Sequence, residues 1–450
     1  MSQSRQFFGT DGLRGPANQP PLDATTVVRL GQAAAHVLGK IETQRSSVVI
    51  GKDTRESGDF LEQAIAAGLN SAGFHVDSAG VIPTPAVAHL TRQRGAAFGV
   101  VISASHNSFE DNGIKFFGPD GYKLPDETEA KIEATLLSEQ SLESHGRLGR
   151  MTSSHEQSRG SYVDFVTGRF AENLLNGLHV ALDAANGASF ATSPAILERL
   201  GATVHVGHAE PDGVNINAAC GCTHPDAIEK LFRESGAEVG ISHDGDADRA
   251  LLVDESGSIL DGDEIMAIAA THLISEGKLQ GNTLVATVMS NAGLELALNS
   301  VGGRLERAAV GDRYVIEKMR ARGFNLGGEQ SGHFIFHDHN TTGDGIIAAI
   351  ELLRIRAETG KPLSELRKVL TKLPQVQRNL KVISKPPIEE LTAYRLIQQT
   401  EAELAGEGRV LIRYSGTESL MRLLIEGSNP DDITRRIDTL AEAIETEIGA

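Results

Sequence analysis

The sequence predicts an α/β protein with three similar mixed-sheet α/β domains and a smaller C-terminal α+β domain around a central cleft. Three stretches, which begin at Ser47, His179 and Thr283, repeat the order strand, polar loop, helix, strand. A chain of 450 residues, with 40% hydrophobic residues and 48 glycines, is long enough for several such units. After Leu373 and Pro374 the pattern changes to short strands and two helices. We therefore expect domains at 1–150, 151–254, 255–372 and 373–450.

The overall charge excludes some classes of partner. A formal net charge of −18 at pH 7 argues against a general nucleic-acid binder, although local positive groups can still hold a small phosphorylated ligand. No apolar run approaches the roughly 20 residues that span a bilayer, and the opening MSQSRQFFG lacks a signal pattern. We expect a cytoplasmic protein that binds a small molecule, with no nucleic acid and no membrane. Homodimer formation is left open.

The N-terminal stretch FFGTDGLRGPANQP is rich in glycine and proline, which predicts a loop instead of a strand or helix. Arg14 lies among glycines that allow a ligand to approach the backbone closely. An arginine exposed in a turn is the more common case. By itself, Arg14 therefore does not indicate a site.

Each repeated unit carries a helix with an apolar stripe, which is expected to pack on a sheet. The stripes are Leu61, Ile65 and Leu69 in the first unit, Ile196, Leu197 and Leu200 in the second, and Leu294, Leu298 and Val301 in the third. Nearly equal lengths and similar stripes indicate an internal triplication. The alternative is chance similarity, because strand-helix-strand units are common.

Each unit is followed by another apolar strand that ends in an unusual polar loop. The loops read SASHN after Ile102, DGDADR after Ile241 and GGEQSGH after Leu326. In α/β sheets, ligands bind beyond the carboxyl ends of strands. Three such ends that face one cleft would build a single composite site.

The loop after Ile102 carries a serine with acid/base groups nearby. Ser105 and His106 lie in SASHN, and Lys115 follows in DNGIK. A hydroxyl, an imidazole and an ammonium are the ingredients of an activated nucleophile. The alternative is a Ser/Asn turn whose side chains bond only to the local backbone.

Asp244, Asp246 and Asp248 lie at every second position of the next loop. Three converging carboxylates repel one another unless a cation lies between them, and a hard divalent cation suits oxygen ligands. The spacing also fits a calcium-binding loop with Glu255 at its twelfth position. Arg249 occupies the sixth position, where such loops need glycine, and this disfavours the calcium interpretation.

The C-terminal unit is predicted to contain three strands and two helices. The strands are expected at 376–382, 410–413 and 420–425, and the helices at about 388–405 and 430–448. Between the last two strands, RYSGTE supplies hydroxyls, exposed amides and Arg413, with Arg422 just beyond. These groups suit a phosphate, whereas the alternative is a simple hairpin turn.

Five motifs in this order resemble those of the α-D-phosphohexomutase family: FGTDGLRG, SASHN with DNGIK, DGDADR, GGEQSGH and RYSGTE. The resemblance covers essentially the whole chain and is closest to the branch that acts on glucosamine phosphates. It implies an isomerase that interconverts glucosamine 6-phosphate and glucosamine 1-phosphate through a phosphoserine and a bisphosphate, on the path to UDP-N-acetylglucosamine. The alternatives are a phosphomannomutase or phosphoglucomutase, and a metal-dependent sugar-phosphate phosphatase.

The resemblance also implies roles for individual residues. Ser105 corresponds to the family's phosphorylated serine, and Ser105, Asp244, Asp246 and Asp248 are the implied ligands of one Mg²⁺ per active site. Glucosamine 1,6-bisphosphate is implied as intermediate and activator. Catalytic roles are expected for Ser105, His106, Lys115, Arg249, His333 and Arg14, which faces the serine. Substrate binding is expected at Glu329, Ser331, Arg413, Ser415, Gly416, Thr417 and Arg422.

Overall fold

The strands of the chain form separate sheets along the sequence, as a computed structural model shows. The structure describes residues 7–9, 11–39, 46–138, 142, 146, 148–415 and 418–450. Within these residues there are sheets of seven, five, four and three strands. No helix in the described part of the chain is both long and apolar enough to cross a membrane.

The first sheet has the strand order β1-β2-β6-β5-β3-β4-β7 and mixes parallel and antiparallel pairs. Its helices α1 and α2 pack with the sheet around a buried apolar cluster. The elements are β1 (Phe8–Gly9), β2 (Gly12–Pro16), α1 (Ala24–Leu38), β3 (Ser47–Lys52), α2 (Ser57–Ser71), β4 (His75–Val81), α3 (Thr84–Gln93), β5 (Phe98–Ile102), β6 (Asp111–Phe117), α4 (Asp126–Leu137) and β7 (Met151–Ser153).

The prediction of an N-terminal loop is wrong. Strands β1 and β2 form an antiparallel hairpin, and β2 adds to the sheet beside β6, with Leu13 opposite Ile114. Gly12 has φ +79°, which favours glycine and permits the tight turn. Phe8 and Leu13 are buried, so apolar burial and ladder hydrogen bonds together outweigh the turn-forming composition.

The second sheet has the order β12-β11-β10-β8-β9. Strand β8 runs parallel to β9 and β10, and β11 is antiparallel to β10. The elements are α5 (His155–Thr167), β8 (His179–Asp183), α6 (Thr192–Arg199), β9 (Thr203–Gly207), α7 (Pro225–Ser235), β10 (Val239–His243), β11 (Ala250–Val253) and β12 (Ile259–Leu260).

The third sheet has the order β14-β13-β15-β16, with β13 parallel to β14 and β15 and with β16 antiparallel to β15. The elements are α8 (Gly262–Ser275), β13 (Thr283–Thr287), α9 (Ala292–Ser300), β14 (Arg304–Ala308), α10 (Asp312–Arg322), β15 (Leu326–Gly328), β16 (Phe334–Phe336), α11 (Gly345–Thr359) and α12 (Leu363–Leu366).

The first three sheets share one four-strand pattern. In each, a central parallel strand lies between two parallel neighbours, and the strand beyond one of them returns antiparallel. The matching sets are β4-β3-β5-β6, β9-β8-β10-β11 and β14-β13-β15-β16. Each polar loop noted in the sequence therefore joins the last parallel strand to its antiparallel partner.

The apolar stripes of the repeated helices are buried except at one position. Leu61, Ile65 and Leu69 face the core, as do the three stripe residues of the second unit. In the third unit Leu294 and Leu298 are buried, but Val301 is 45% exposed. The prediction for Val301 is wrong because α9 ends at Ser300, so the helical period no longer directs that side chain inward.

The C-terminal sheet is antiparallel, with the order β17-β19-β18 and its own apolar cluster. Its elements are β17 (Gln375–Lys381), α13 (Tyr394–Leu404), β18 (Gly408–Tyr414), β19 (Leu420–Gly427) and α14 (Pro430–Ile448). The predicted helix from about 388 starts too early, because 388–390 form a separate 3₁₀ turn. The backbone amide of Thr392 donates to the Glu447 carboxylate instead of continuing a helix.

Candidate active site

Three polar loops, one from each of the first three sheets, contact one another. The β5–β6 loop carries Ser105, the β10–β11 loop carries Asp244 and Asp248, and the β15–β16 loop carries His333. Ser105 Oγ donates a hydrogen bond to Asp244 Oδ2 at 2.6 Å. His333 Nδ1 lies 3.5 Å from Asp248 Oδ1. The loops that the sequence suggested as parts of one composite site therefore meet in space.

Ser105 has an unusual backbone conformation for a serine. Its φ of +52° lies in the left-handed region, which costs free energy for a residue with a Cβ atom. The Ser103 hydroxyl oxygen accepts a hydrogen bond from the Ser105 amide at 2.9 Å. The Ser105 side chain is buried against Asp244, so the strained backbone holds the hydroxyl at the acidic loop.

A buried arginine, Arg55, donates hydrogen bonds to the backbone of the serine loop. Arg55 donates hydrogen bonds to the carbonyl oxygens of Ser105 at 3.1 Å, Asn107 at 2.8 Å and Asp111 at 2.9 Å. Its Nε donates to Asp53 Oδ2 at 2.9 Å, and both side chains are fully buried. Arg55 cannot be recognised from the sequence, because its only signal is that the polar triplet DTR follows the apolar strand β3.

The second domain holds the same loop from the other side. Asn217 Nδ2 donates to the Ser105 carbonyl oxygen at 2.9 Å. A Cβ atom on Gly245 would lie 2.5 Å from that carbonyl oxygen, so glycine is needed for the two loops to approach. Thr84 Oγ1 donates to Asp246 Oδ2 at 2.7 Å, which ties the acidic loop back to the first domain.

The three aspartates form a buried acidic cluster that fits a cation. Carboxylate oxygens of Asp244, Asp246 and Asp248 all lie within 4.8 Å of one another. Among the described residues, Asp246 Oδ1 and Asp248 Oδ1 are buried without a hydrogen-bond partner. Burial, followed by repulsion from Asp248 and Asp246, raises the pKa of Asp244 to about 8. A bound divalent cation would coordinate these buried oxygens, which lack hydrogen bonds, and would relieve the repulsion between the carboxylates.

His106 lies beside the serine hydroxyl, with Nδ1 3.3 Å from Ser105 Oγ. Burial and the neighbouring Arg249 and Arg14 lower the pKa of His106 to about 4. The imidazole is therefore neutral at pH 7 and can accept a hydrogen bond.

Lys115 and His333 both carry a positive charge next to the aspartates. Lys115 Nζ donates to Asp246 Oδ2 at 3.1 Å. Burial alone would lower the pKa of Lys115, but Asp11 and Asp246 outweigh it and raise that pKa above its ordinary value. Burial alone would likewise lower the pKa of His333, but Asp248 and Asp312 outweigh it and raise that pKa to about 9. Both groups can therefore donate a proton at pH 7.

Three further charged residues of this site were missed in the sequence. Lys123 Nζ contacts Asp11 Oδ1 at 2.5 Å and Asp312 Oδ2 at 2.6 Å. Asp11 Oδ2 also lies 3.0 Å from Lys115 Nζ, and Asp312 Oδ2 lies 3.4 Å from His333 Nε2. Asp11 could have been found because it stands in the same glycine-rich motif as Arg14. Lys123 and Asp312 carry no local signal, since only the fold brings them together.

The two predicted arginines border the cluster. Arg249 Nε lies 3.9 Å from oxygens of both Asp244 and Asp248. Arg14 pairs with Asp11 through Nη2. Within the described part of the chain, the Nε atoms of Arg14 and Arg249 are buried without a hydrogen-bond partner. Guanidinium donors without a hydrogen-bond partner, on two arginines that neighbour His106, suit a phosphate group.

The predicted sugar-binding residues lie in the β15–β16 loop. Glu329 is largely buried and accepts a hydrogen bond from the Gly311 amide at 3.0 Å, whereas Ser331 is exposed. Both belong to the turn that leads to His333, so the same loop carries all three predicted residues.

The described residues among those predicted to bind phosphate lie on the C-terminal domain, where Arg413 is near Met289. Arg413 Nη2 is 3.8 Å from Met289 Sδ, and Arg413 and Arg422 are opposite each other on paired strands. Lys385, missed in the sequence, donates to the Ser415 carbonyl oxygen at 2.6 Å. Gly416 and Thr417 lie outside the described residues. Three cations around one loop suit an anion.

Comparison with known proteins agrees with this geometry. Profiles of the phosphoglucomutase/phosphomannomutase family match the chain as alpha/beta/alpha domain I at residues 5–143, domain II at 160–257, domain III at 261–373 and C-terminal domain at 352–443. The chain belongs to this family. This match confirms the predicted α/β fold with several domains. It also confirms the prediction that the protein is a phosphohexomutase, which is an isomerase.

Individual relatives refine the assignment within the family. Phosphoglucosamine mutase of Syntrophotalea carbinolica is 49% identical over 99% of this chain and 98% of the relative. Phosphoglucosamine mutase of Bdellovibrio bacteriovorus is 47% identical over the full length of both chains. The resemblance to the glucosamine branch is confirmed by these relatives.

Solved structures share the fold. A phosphoglucomutase/phosphomannomutase family protein of Burkholderia thailandensis has a TM-score of 0.79 at 22% identity, covering 98% of this chain and 99% of its own. N-acetylphosphoglucosamine mutase of Aspergillus fumigatus, solved with GlcNAc-6P and magnesium, has a TM-score of 0.65 at 16% identity, covering 94% and 97% of the two chains.

Proposed function

We propose that this phosphohexomutase interconverts glucosamine 6-phosphate and glucosamine 1-phosphate, on the path to UDP-N-acetylglucosamine. The substrate follows from relatives named phosphoglucosamine mutase that are 47–49% identical over nearly the whole chain. One observation supports the mechanism: Ser105 Oγ donates a hydrogen bond to Asp244, which belongs to a buried acidic cluster. A serine at a cation site is suited to carry a phosphoryl group.

In the proposed cycle, phosphorylated Ser105 donates its phosphoryl group to the free hydroxyl of the monophosphate. The bond between phosphorus and Ser105 Oγ breaks, and a bond from phosphorus to the sugar oxygen forms. The sugar hydroxyl gives its proton to a base, and an acid delivers a proton to the leaving Ser105 Oγ. The product is glucosamine 1,6-bisphosphate. After this sugar turns around in the cleft, its other phosphoryl group returns to Ser105, and the isomeric monophosphate is released. Phosphoryl transfer requires mainly in-line positioning and charge neutralisation.

The acidic cluster is the proposed site of one Mg²⁺. Asp244, Asp246 and Asp248 would hold it together with a phosphate oxygen on Ser105. When bound, the ion supplies charge stabilisation to the transferring phosphoryl group. Arg249 and Arg14 would bind the same phosphoryl oxygens with the donors that are unused in the protein alone.

Proton transfer is assigned to charged groups that line the reaction centre. Lys115 and His333 are buried and protonated at pH 7, so either can give a proton to Ser105 Oγ as it leaves phosphorus. The group that has lost its proton can then accept the proton of the sugar hydroxyl. Because the Ser105 hydroxyl proton is directed to Asp244, neutral His106 can orient unmodified Ser105 by donating from Nδ1 to the hydroxyl oxygen.

The remaining predicted residues would hold the sugar and its second phosphate. Glu329 and Ser331 are proposed to bind sugar hydroxyls. Arg413, Ser415, Gly416, Thr417 and Arg422 are proposed to bind the phosphate that is not being transferred, with help from Lys385. Because water at the phosphoserine would cause hydrolysis, the C-terminal domain is expected to close over bound sugar. A cytoplasmic location and a homodimer stay predictions.

The test combines mass spectrometry with a substrate comparison. We expect the wild-type peptide that contains Ser105 to carry one phosphoryl group, and Ser105→Ala to lose both that group and mutase turnover. We expect kcat/KM to be higher for glucosamine phosphates than for glucose or mannose phosphates. A fully active wild-type enzyme without phosphate on Ser105 contradicts the mechanism. Preference for glucose or mannose phosphates contradicts the substrate, and release of inorganic phosphate as the main product indicates a phosphatase.

A further inference from the structure

A chain of alternating charges crosses the cleft from Lys115 to His333. Lys115 Nζ lies 3.0 Å from Asp11 Oδ2, and Asp11 Oδ1 lies 2.5 Å from Lys123 Nζ. Lys123 Nζ lies 2.6 Å from Asp312 Oδ2, which lies 3.4 Å from His333 Nε2. The three inner groups, Asp11, Lys123 and Asp312, each contact a neighbour on both sides, so each is held from two directions.

Lys123 is the centre of this chain and is shielded from solvent. Its side chain is 5% exposed, and its two carboxylate partners come from different domains. Asp11 lies in the turn between β1 and β2, and Asp312 is the first residue of α10. Without the Lys123 ammonium these two carboxylates, whose side chains are 23% and 10% exposed, would face each other as like charges, which is unfavourable.

Other contacts already join the first and third domains at this place. Arg313 Nη2 donates to Glu129 Oε1 at 2.7 Å, and both groups are buried. Thr341 Oγ1 donates to the Gly121 carbonyl oxygen at 2.7 Å. Lys123 is therefore one of several links across the interface. What distinguishes it is that each of its carboxylate partners touches a group assigned to proton transfer.

We propose that Lys123 is a positioning residue, which acts through Asp11 and Asp312 to keep Lys115 and His333 at fixed places on either side of the reaction centre. This inference rests on the proposed function, because it takes Lys115 and His333 as the proton-transfer groups. Lys123 itself does not touch the phosphoryl group. Its effect is on geometry, and misplacement of a reacting group by about 1 Å costs on the order of 100-fold in rate.

The first test is Lys123→Met, which keeps the length of the side chain and removes the charge. We expect kcat to fall on the order of 100-fold, with little change in KM, because the ion pairs described for Lys123 are with Asp11 and Asp312 and not with the proposed sugar-binding residues. Phosphate on Ser105 should persist. Lys123→Arg keeps both ion pairs and should recover most of kcat. An unchanged kcat in Lys123→Met overturns the proposal.

A double variant separates positioning from simple charge balance. Lys123→Met with Asp312→Asn removes the carboxylate whose ammonium partner is missing, so the melting temperature should return toward that of the wild type. We expect kcat to stay low, because His333 has lost its contact with the Asp312 carboxylate. Recovery of both the melting temperature and kcat in the double variant would show that Lys123 only balances charge, and this result overturns the proposal.

Lys52 offers a matched control in the first domain. Its ammonium also lies between two carboxylates, Asp59 at 2.6 Å and Glu62, and its side chain is 10% exposed. Lys52→Met is expected to lower the melting temperature without lowering kcat. If the wild type prefers glucose or mannose phosphates, the Lys123 variants are assayed with that substrate. The failure of the proposed substrate is thereby distinguished from a failure of the Lys123 proposal.

Discussion

At the scale of single residues, the serine loop depends on groups that do not react. Ser105 keeps a left-handed backbone because Arg55 and Asn217 bind its carbonyl oxygen from two domains. The planar guanidinium donates to several carbonyl oxygens at once, in a fork that a lysine cannot reproduce. The orientation of the Ser105 hydroxyl toward Asp244 is therefore set by backbone contacts beneath it.

We predict that Arg55→Lys lowers kcat on the order of 100-fold, because the serine loop loses most of its donors and the nucleophile shifts. Steady-state kinetics and phosphate content at Ser105 measure the effect. Arg94→Lys is the control, since Arg94 is also a multiply bonded arginine, with donors to Ser154 and Ser158, but lies away from the acidic cluster. Equal losses of activity in both variants would contradict a specific role for Arg55.

At the scale of secondary-structure elements, helices α3 and α5 join the first two domains through an aromatic stack. The His89 ring on α3 lies 3.7 Å from the Phe165 ring on α5, in a stacked arrangement. His89 Nε2 is buried without a hydrogen-bond partner in the described part of the chain. Burial, followed by repulsion from Arg92 and Arg169, lowers the pKa of His89 to about 4. This packing therefore requires a neutral imidazole.

We predict that His89 contributes to acid destabilisation. Its folded pKa lies below the unfolded value of about 6.5, so the unfolded chain binds the proton first, and stability is lost as the pH falls from 6.5 toward 4. The loss at pH 5 should be about 1 to 2 kcal/mol. His89→Phe keeps the stack and removes the titration. Between pH 7 and pH 5, the melting temperature should fall less for His89→Phe than for the wild type. An equal fall in melting temperature contradicts the prediction.

At the scale of the whole molecule, a buried ion pair within the C-terminal domain, between Arg409 and Glu426, makes hydrogen bonds that attach this domain to the third domain. Glu426 on β19 is fully buried and accepts from the Ala292 amide at 2.9 Å, at the N-terminus of α9. Arg409 on β18 pairs with Glu426 at 2.5 Å and donates to the Ser290 carbonyl oxygen at 2.7 Å. A carboxylate at a helix N-terminus is favourable, so this contact orients the domain that carries the phosphate-binding arginines.

We predict that Glu426→Ala loosens the C-terminal domain, because removal of one partner leaves Arg409 unpaired, at a cost of about 3 to 5 kcal/mol. KM for the sugar phosphate should rise at least tenfold, since the distant phosphate is held by that domain, and proteolysis in the connecting segment 371–375 should become faster. Asp438→Ala is the control, because it removes the exposed Arg378 ion pair within the C-terminal domain. An unchanged KM with unchanged proteolysis would argue against this attachment.

The sequence by itself determined the order of elements, the repeated units and the polar loops, because apolar periodicity and turn residues act over short stretches. It therefore predicted Ser105 and the three aspartates as candidates before any contact was known. Predictions from local composition were wrong where a distant residue decided the structure. The N-terminal hairpin forms because β2 pairs with β6. Helix α13 starts later than predicted because the Thr392 amide donates to Glu447. Lys123 and Asp312 could not be predicted, because they are 189 residues apart and only the docking of the first domain on the third makes them partners.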